Sequence, residues 1–129
     1  MNQESKKIKS FTELIAWQEG YKLVLEIYKL TSKFLPSEMF GLVFQLRRAA
    51  VSITSNVAEG FSRKSYKEKY QFYSISLGSL TEVQNQLLIS KDIKYIDDEE
   101  FEKIAKLTVT INKITNGLIK SSKSRILNP

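Results

Sequence analysis

Apolar residues recur every three or four positions along four long segments of this chain, and this helical spacing is the feature that most restricts its fold. A capping serine or aspartate precedes three of the segments. The connections near 35–37, 60–65 and 94–97 are short, so each helix must pack antiparallel to the one before it. The sequence therefore predicts one all-α domain over 1–129, an antiparallel up-and-down four-helix bundle, whose tails at 1–9 and 122–129 are frayed.

The first predicted helix runs from a Ser10–Glu13 capping box to about Phe34, ahead of Pro36. Its apolar residues form one stripe that requires burial. This predicted core face consists of Leu14, Trp17, Tyr21, Val24, Leu25 and Tyr28.

The second predicted helix runs from about Ser37 to Gly60, and the glycine is expected to end it. Its predicted core face consists of Leu46, Ala50, Ile53 and Val57. A second stripe carries polar and small side chains at helical spacing, namely Gln45, Arg48, Ser52, Ser55 and Glu59. Small side chains permit close packing, which favours a polar network within the chain or between subunits; a solvated face is the alternative. The predicted oligomer-interface residues are Arg48, Ser52, Asn56, Glu59 and Glu82.

The third predicted helix opens with a Ser65–Glu68 capping box and continues to about Ile93. Gly78 lies in its middle, where a glycine costs ~1 kcal/mol relative to alanine, so we expect a neighbouring helix to approach closely there. The predicted core face consists of Phe72, Ile75, Leu80, Val83 and Leu87.

The fourth predicted helix is capped by Asp97, and the acidic residues through Glu100 suit the positive end of its dipole. Capping explains this acidic run better than a metal site or carboxylate catalysis does. Leu107, Ile111, Ile114 and Leu118 are its predicted core residues. Its many β-branched residues weaken helix propensity, so a strand over 107–111 is the alternative.

Composition excludes several classes of function. The chain has no cysteine and no histidine, which removes thiolate chemistry, the commonest general base and the commonest transition-metal ligand. We therefore expect a non-catalytic protein without a metal or other cofactor. No apolar run is long enough for a membrane span, and the N-terminus lacks the apolar core of a signal peptide, which predicts a cytoplasmic protein without a membrane partner. The net charge of +6 favours an acidic partner such as a nucleic acid.

Several specific motifs surround and include the second helix. They are Gln45-Leu46-Arg47-Arg48-Ala49-Ala50-Val51-Ser52-Ile53, Ser55-Asn56-Val57-Ala58-Glu59-Gly60, Leu14-x-x-Trp17-Gln18, Phe34-x-Pro36-x-Glu38-x-x-Gly41-Leu42, Arg63, and Gly78-Ser79-Leu80-x-Glu82. Together they closely resemble the four helix bundle protein family of bacteria, over most of residues 11–96. That family includes proteins encoded by intervening sequences within large-subunit ribosomal RNA genes, often labelled as a small-subunit ribosomal protein. It also includes the accessory variability proteins of diversity-generating retroelements.

The resemblance implies a four-helix bundle that assembles as a ring-shaped homopentamer. Its retroelement relatives use basic surfaces to bind RNA and a reverse transcriptase, so RNA and such a protein are the partners it implies. The fourth helix and the tails carry no family motif, and nothing about their contacts follows from the resemblance.

The start of the third helix gathers cationic side chains where free backbone N–H groups also attract anions. This combination suits phosphate, although lysines that simply extend into water are an equal alternative. The predicted nucleic-acid-binding residues are Arg47, Arg63, Lys64, Lys67 and Lys69. The nearby Tyr66, Tyr70 and Tyr73 are expected to pack more than to stack on bases. The cations of the last helix, Lys113, Lys120, Lys123 and Arg125, are explained by its dipole and could add to a basic surface.

Two hypotheses of function follow. The first is a non-catalytic homo-oligomeric scaffold that binds RNA through the basic residues of the second helix and of the third helix's start. The second is a protein-binding or structural oligomer that binds no nucleic acid and uses its positive charge for an acidic protein or for solubility. Salt dependence of nucleic-acid affinity separates the two, because phosphate contacts weaken steeply as salt rises.

Overall fold

The computed structural model describes residues 7–128 and contains four long α-helices. They are α1 (Ile15–Thr31), α2 (Phe44–Ser62), α3 (Tyr66–Asp92) and α4 (Asp98–Leu127). Each helix packs against the next along the chain, and α4 packs back against α1 to close the bundle. The predicted all-α four-helix fold is confirmed, and the strand alternative over 107–111 is wrong because that segment lies within α4. No helix between residues 7 and 128 is long and apolar enough to cross a membrane.

Branched apolar side chains from all four helices form the core. Its fully buried members include Leu23, Ile27, Leu46, Ile53, Leu80, Val83, Leu87 and Ile111. Burial of each such side chain contributes roughly 1.5–3 kcal/mol relative to leaving it exposed. A smaller apolar cluster around Leu14, Ala16 and Val57 holds the start of α1 against α2 and α4.

The predicted core stripe of α1 is half right: Leu14 is buried, and Trp17 and Val24 pack against the core. Tyr21, Leu25 and Tyr28 are exposed, whereas the buried face carries Leu23 and Ile27. Buried residues of this face are Ala16, Gly20, Leu23, Ile27, Leu30 and Thr31. The helix has large apolar residues on two faces. The face that packs also carries the small residues Ala16 and Gly20, which allow a neighbouring helix to approach. A Cβ on Gly20 would lie 3.1 Å from Thr54 Cγ2, so α2 approaches α1 at this glycine.

The connection between α1 and α2 is longer and more irregular than the sequence suggested. Ser10 caps only a short 3₁₀ turn, Phe11–Glu13, and the α-helix itself ends at Thr31 rather than Phe34. A 3₁₀ turn (Pro36–Glu38) and a kinked turn (Met39–Val43) precede α2, which therefore begins seven residues after the predicted Ser37.

Glu38 secures the kinked turn. Its carboxylate accepts hydrogen bonds from the backbone N–H of Leu42 at 3.2 Å and from the Tyr95 hydroxyl at 2.7 Å. Gly41 adopts φ −107° and ψ −115° at the kink, which breaks the helical run. As a consequence, the side chain of Phe40 points into solvent and is 92% exposed.

Two glycine predictions are corrected. The predicted stop at Gly60 is wrong, because α2 continues to Ser62. The close approach expected at Gly78 is also wrong, because Gly78 is exposed and a Cβ built there meets no atom within 4 Å. Serines make the close approach between α2 and α3 instead: Ser76 Oγ donates to the carbonyl oxygen of Ile53 at 2.9 Å.

The last two helices begin as predicted. Ser65 Oγ accepts the N–H of Glu68 at 3.1 Å, and Asp97 with Glu100 forms a complete capping box at α4. Of the predicted core residues on α3, Ile75 is instead exposed. The C-terminal tail is helical through Leu127 and buries Ser122, and its fraying stays a prediction; residues 1–6 and 129 fall outside the described residues.

Candidate nucleic-acid interface

A short turn joins α2 to α3 and places the C-terminus of one helix beside the N-terminus of the next. Lys69 lies at this junction. Its Nζ donates to the carbonyl oxygens of Phe61 at 2.7 Å and Gly60 at 3.3 Å, so the ammonium caps the end of α2. Burial lowers the pKa of Lys69. This predicted site residue is therefore already engaged within the chain.

Arg63 is held in place on the same turn by two contacts. Its guanidinium lies 3.1 Å from the Glu59 carboxylate and 4.7 Å from the centroid of the Phe72 ring. Both side chains of the ion pair remain about half exposed, with 42% for Arg63 and 54% for Glu59. Such an exposed pair adds little stability, and its main effect is to orient the guanidinium.

Lys64 and Lys67 are exposed and form no ion pair with any residue between 7 and 128. Lys67 stands in the first turn of α3, where the backbone N–H groups have no helical acceptor. A cation at this end of a helix is unfavourable by roughly 0.3–1 kcal/mol, and a bound anion would offset that cost.

The antiparallel packing of α3 and α4 brings the end of α4 to the same place. The Arg125 guanidinium lies over the Tyr66 ring, 5.5 Å from its centroid. Lys120 and Lys123 are exposed on the preceding turns of α4. In the sequence analysis these cations were explained by the α4 dipole. The predicted antiparallel topology already implied that the end of α4 lies next to the start of α3, so it could have placed them in the same site.

We call this surface the basic end of the bundle. It comprises Arg63, Lys64, Lys67, Lys69, Lys120, Lys123 and Arg125. The two segments that carry these seven cations, 59–69 and 120–125, contain two carboxylates, those of Glu59 and Glu68. At the opposite end, residues 92–102 hold six carboxylates and one lysine, and Lys33 of the α1 end pairs with Glu100 there. Seven of the chain's 20 Lys and Arg side chains therefore lie at one end of the bundle.

Arg47 does not belong to the basic end. Its Nε donates to Thr31 Oγ1 at 2.9 Å, and its guanidinium lies 4.4 Å from the centroid of the Tyr28 ring. Sixteen residues of helix separate it from Arg63, which corresponds to about 24 Å along the axis. The structure thus brings together the other four predicted nucleic-acid-binding residues and leaves Arg47 apart.

The three tyrosines of α3 have different surroundings. Tyr73 is buried at 4% exposure and packs on Gly60, as the packing interpretation expected. Tyr70 is half-buried. Tyr66 is exposed beside Arg125 and is the one of the three whose ring is open to a ligand.

The polar stripe of α2 bonds mainly within the chain. Ser52 Oγ lies 2.8 Å from Ser79 Oγ on α3, and Asn56 Nδ2 donates to the Ser52 carbonyl oxygen at 2.8 Å. Arg48 and Glu82 differ from these residues. They line a surface groove together with Phe40, Phe44, Gln45 and Gln86. No ion pair joins the two within the described chain.

A second groove of about 390 Å³ adjoins it, and we call this surface the apolar groove. Its lining consists of Tyr28, Met39, Phe40, Val43, Phe44, Arg47, Arg48 and Val51. Sequence reasoning missed Met39, Phe40 and Phe44. The spacing of Phe40 and Phe44 by four residues, outside the register of the predicted core, was the available signal.

A family model described as 23S rRNA-intervening sequence protein matches residues 12–117. The chain belongs to the 23S rRNA-intervening sequence protein family. No curated protein matches the sequence significantly.

Among solved structures, the chain is similar to a Bacteroides thetaiotaomicron VPI-5482 protein of unknown function from the S23 ribosomal protein family. The two are 22% identical, the alignment covers 82% of this chain and 96% of the other, and the TM-score is 0.77. This similarity supports the fold of a 23S rRNA-intervening sequence protein. The family match includes the α2–α3 turn and ends before Lys120, Lys123 and Arg125, so part of the basic end lies beyond the matched region.

Proposed function

We propose that this member of the 23S rRNA-intervening sequence protein family is a non-catalytic, homo-oligomeric scaffold that binds RNA through the basic end. The observation that carries the proposal is that segments 59–69 and 120–125 bring seven cationic side chains and two carboxylates to the same end of the bundle, where Arg125 contacts Tyr66. Cations clustered on one face are the electrostatic signature of nucleic-acid binding.

Different residues of the basic end have different parts in this proposal. Lys64 and Lys67 are exposed and unpaired among the described residues, so they are available to phosphate. The first N–H groups of α3 add donors for the same anion. Lys69 stays on the carbonyl oxygens of α2 and shapes the turn rather than contacting RNA. Arg47, remote from this surface, is removed from the proposed RNA contacts.

The apolar groove supports self-association. Phe40 is 92% exposed and Phe44 is 56% exposed, and large apolar side chains that cluster on a surface mark protein interfaces. We assign this groove, together with the adjoining groove that Arg48 and Glu82 line, to contacts between copies of the chain. The number of copies, five, is what the family resemblance implies. A ring would repeat the basic end once per subunit and convert a weak site into an avid one.

Binding of a different protein is the second candidate function. The same apolar groove favours it, because Arg47 and Arg48 stand beside exposed aromatic residues, a composition common in protein interfaces. A protein partner such as a reverse transcriptase would then occupy the groove, and the chain would need no RNA.

The test is fluorescence anisotropy with labelled RNA across a salt titration, on protein whose mass in solution has been measured by light scattering. Under the proposal, affinity falls steeply as salt rises, because phosphate contacts release counterions. The variant Arg63→Gln/Lys64→Gln/Lys67→Gln is expected to abolish binding. A matched control, Lys29→Gln/Lys94→Gln/Lys106→Gln, removes the same charge from exposed lysines outside the basic end.

The control variant is expected to bind RNA nearly as well as the unaltered protein. Equal loss in both triple variants would show that net charge alone matters and would exclude the basic end as a site. Absence of binding at low salt would reject the RNA function and leave the protein-binding alternative.

A further inference from the structure

Two arginines of the basic end lie over aromatic rings of α3. Arg63 lies 4.7 Å from the Phe72 centroid, and Arg125 lies 5.5 Å from the Tyr66 centroid. Arg63 directly precedes Lys64, and Tyr66 lies between Lys64 and Lys67. Phosphate binding would use these guanidiniums, but it does not require the aromatic ring that lies beside each of them.

We infer that the basic end is selective for single-stranded RNA, whose unpaired bases stack on the guanidinium planes of Arg63 and Arg125 and on the ring of Tyr66. This inference rests on the proposed function and names its ligand class. Arginine planes and aromatic rings are the surfaces on which proteins stack splayed-out bases. In a duplex the bases are stacked on each other, and these surfaces would contact nothing but backbone.

The exposures of the side chains fit this role. Arg63 is 42% exposed while Glu59 and Phe72 fix its position, so a base can reach the guanidinium without first ordering it. Tyr66 is 41% exposed at the first position of α3. A side chain that is already ordered loses less conformational entropy when the ligand binds.

Charge and stacking can be separated by the double variant Arg63→Lys/Arg125→Lys. Lysine keeps the positive charge but lacks the plane that stacks on a base. The probes are a short unstructured RNA and the blunt duplex formed with its complement, measured by anisotropy in the same buffer. The unaltered protein is expected to bind the single strand on the order of tenfold more tightly than the duplex. The double variant is expected to lose this preference while its salt dependence is retained.

Tyr66 provides an independent pair of variants at an exposed position. Tyr66→Phe keeps the ring and is expected to retain single-strand affinity, whereas Tyr66→Leu removes the ring and is expected to weaken it by roughly fivefold or more. Circular dichroism of each variant establishes that the helices are intact.

The outcomes separate this inference from the function on which it rests. Equal affinity for both RNAs, unchanged by Arg63→Lys/Arg125→Lys, overturns single-strand selectivity and leaves phosphate binding at the basic end in place. No binding of either RNA at low salt overturns the proposed function together with this inference. Loss of the preference in the double variant and in Tyr66→Leu, but not in Tyr66→Phe, establishes it.

Discussion

Gly60 of α2 lies against the ring of Tyr73 on α3, so closely that a Cβ at position 60 would be 2.6 Å from Tyr73 Cε1. Tyr73 is buried, and the backbone of α3 leaves the ring little room to retreat. The glycine therefore allows α2 and α3 to pack closely at the α2–α3 turn, three residues before Arg63 in the sequence.

Gly60→Ala is expected to destabilise the protein, because the overpacking cost of about 1–3 kcal/mol exceeds the gain in helix propensity. Gly78→Ala is the matched control. Gly78 is exposed and unobstructed, so the same substitution is expected to stabilise the isolated bundle by roughly 0.5–1 kcal/mol. Urea denaturation of both variants measures the difference. Equal stability of the two would contradict the close contact at Gly60.

Local signals in the sequence predicted the fold well and the packing partners poorly. The capping residues Ser65 and Asp97 act within one helical turn, so their roles could be read from neighbouring residues. The buried face of α1 could not, because both Leu23 and Leu25 are apolar and only contact with α2 decides between them. For the same reason, Gly78 was mistaken for the glycine at a close approach.

The candidate site shows the same division. Arg63, Lys64 and Lys67 are adjacent in the sequence, and their clustering was predictable. The contact of Arg125 with Tyr66 joins residues from two helices and depends on the antiparallel packing. The kink at Gly41, next to the exposed Phe40, is a break in the helix that no periodicity in the sequence indicates.

The Glu38–Tyr95 contact makes stability depend on pH in the alkaline range. The hydrogen bond to Glu38, together with desolvation and the nearby carboxylate charge, raises the pKa of Tyr95 above its usual value of 10.0. The folded state then holds this proton more tightly than the unfolded state, so the contribution is complete below pH 10 and is lost as pH rises through the folded-state pKa.

Tyr95→Phe is expected to reduce this alkaline loss, because the variant has no phenol proton at position 95 to release. The measurement is thermal unfolding, followed by circular dichroism, between pH 8 and pH 11. This interval brackets the ordinary tyrosine pKa of about 10. Burial also raises the pKa of Tyr73, so part of the alkaline loss is expected to remain in the variant. An unaltered pH profile in Tyr95→Phe would show that the Glu38 contact contributes nothing.

Phe40 is expected to matter for assembly and not for the fold of the protomer. Because its side chain is 92% exposed, Phe40→Ser is expected to change the protomer's stability by less than about 0.5 kcal/mol while lowering the mass of the oligomer in solution. Ile15→Ser is a suitable control, since Ile15 is 60% exposed outside the apolar groove. Light scattering compares the three proteins. An unchanged mass for Phe40→Ser would remove the groove from the proposed subunit contact.

Arg48 tests the polar edge of the same contact. It lines the adjoining groove with Glu82 but pairs with no carboxylate of the described chain, so Arg48→Ala is expected to leave the protomer stable. If Arg48 bonds to a neighbouring subunit, its loss leaves a buried polar partner unsatisfied, which costs roughly 1–3 kcal/mol per contact and shifts the mass toward the protomer. Lys106→Ala removes an exposed cation outside the groove and is the control. If Arg48→Ala keeps the full mass of the oligomer, Arg48 is exposed to solvent and does not contribute to the subunit contact.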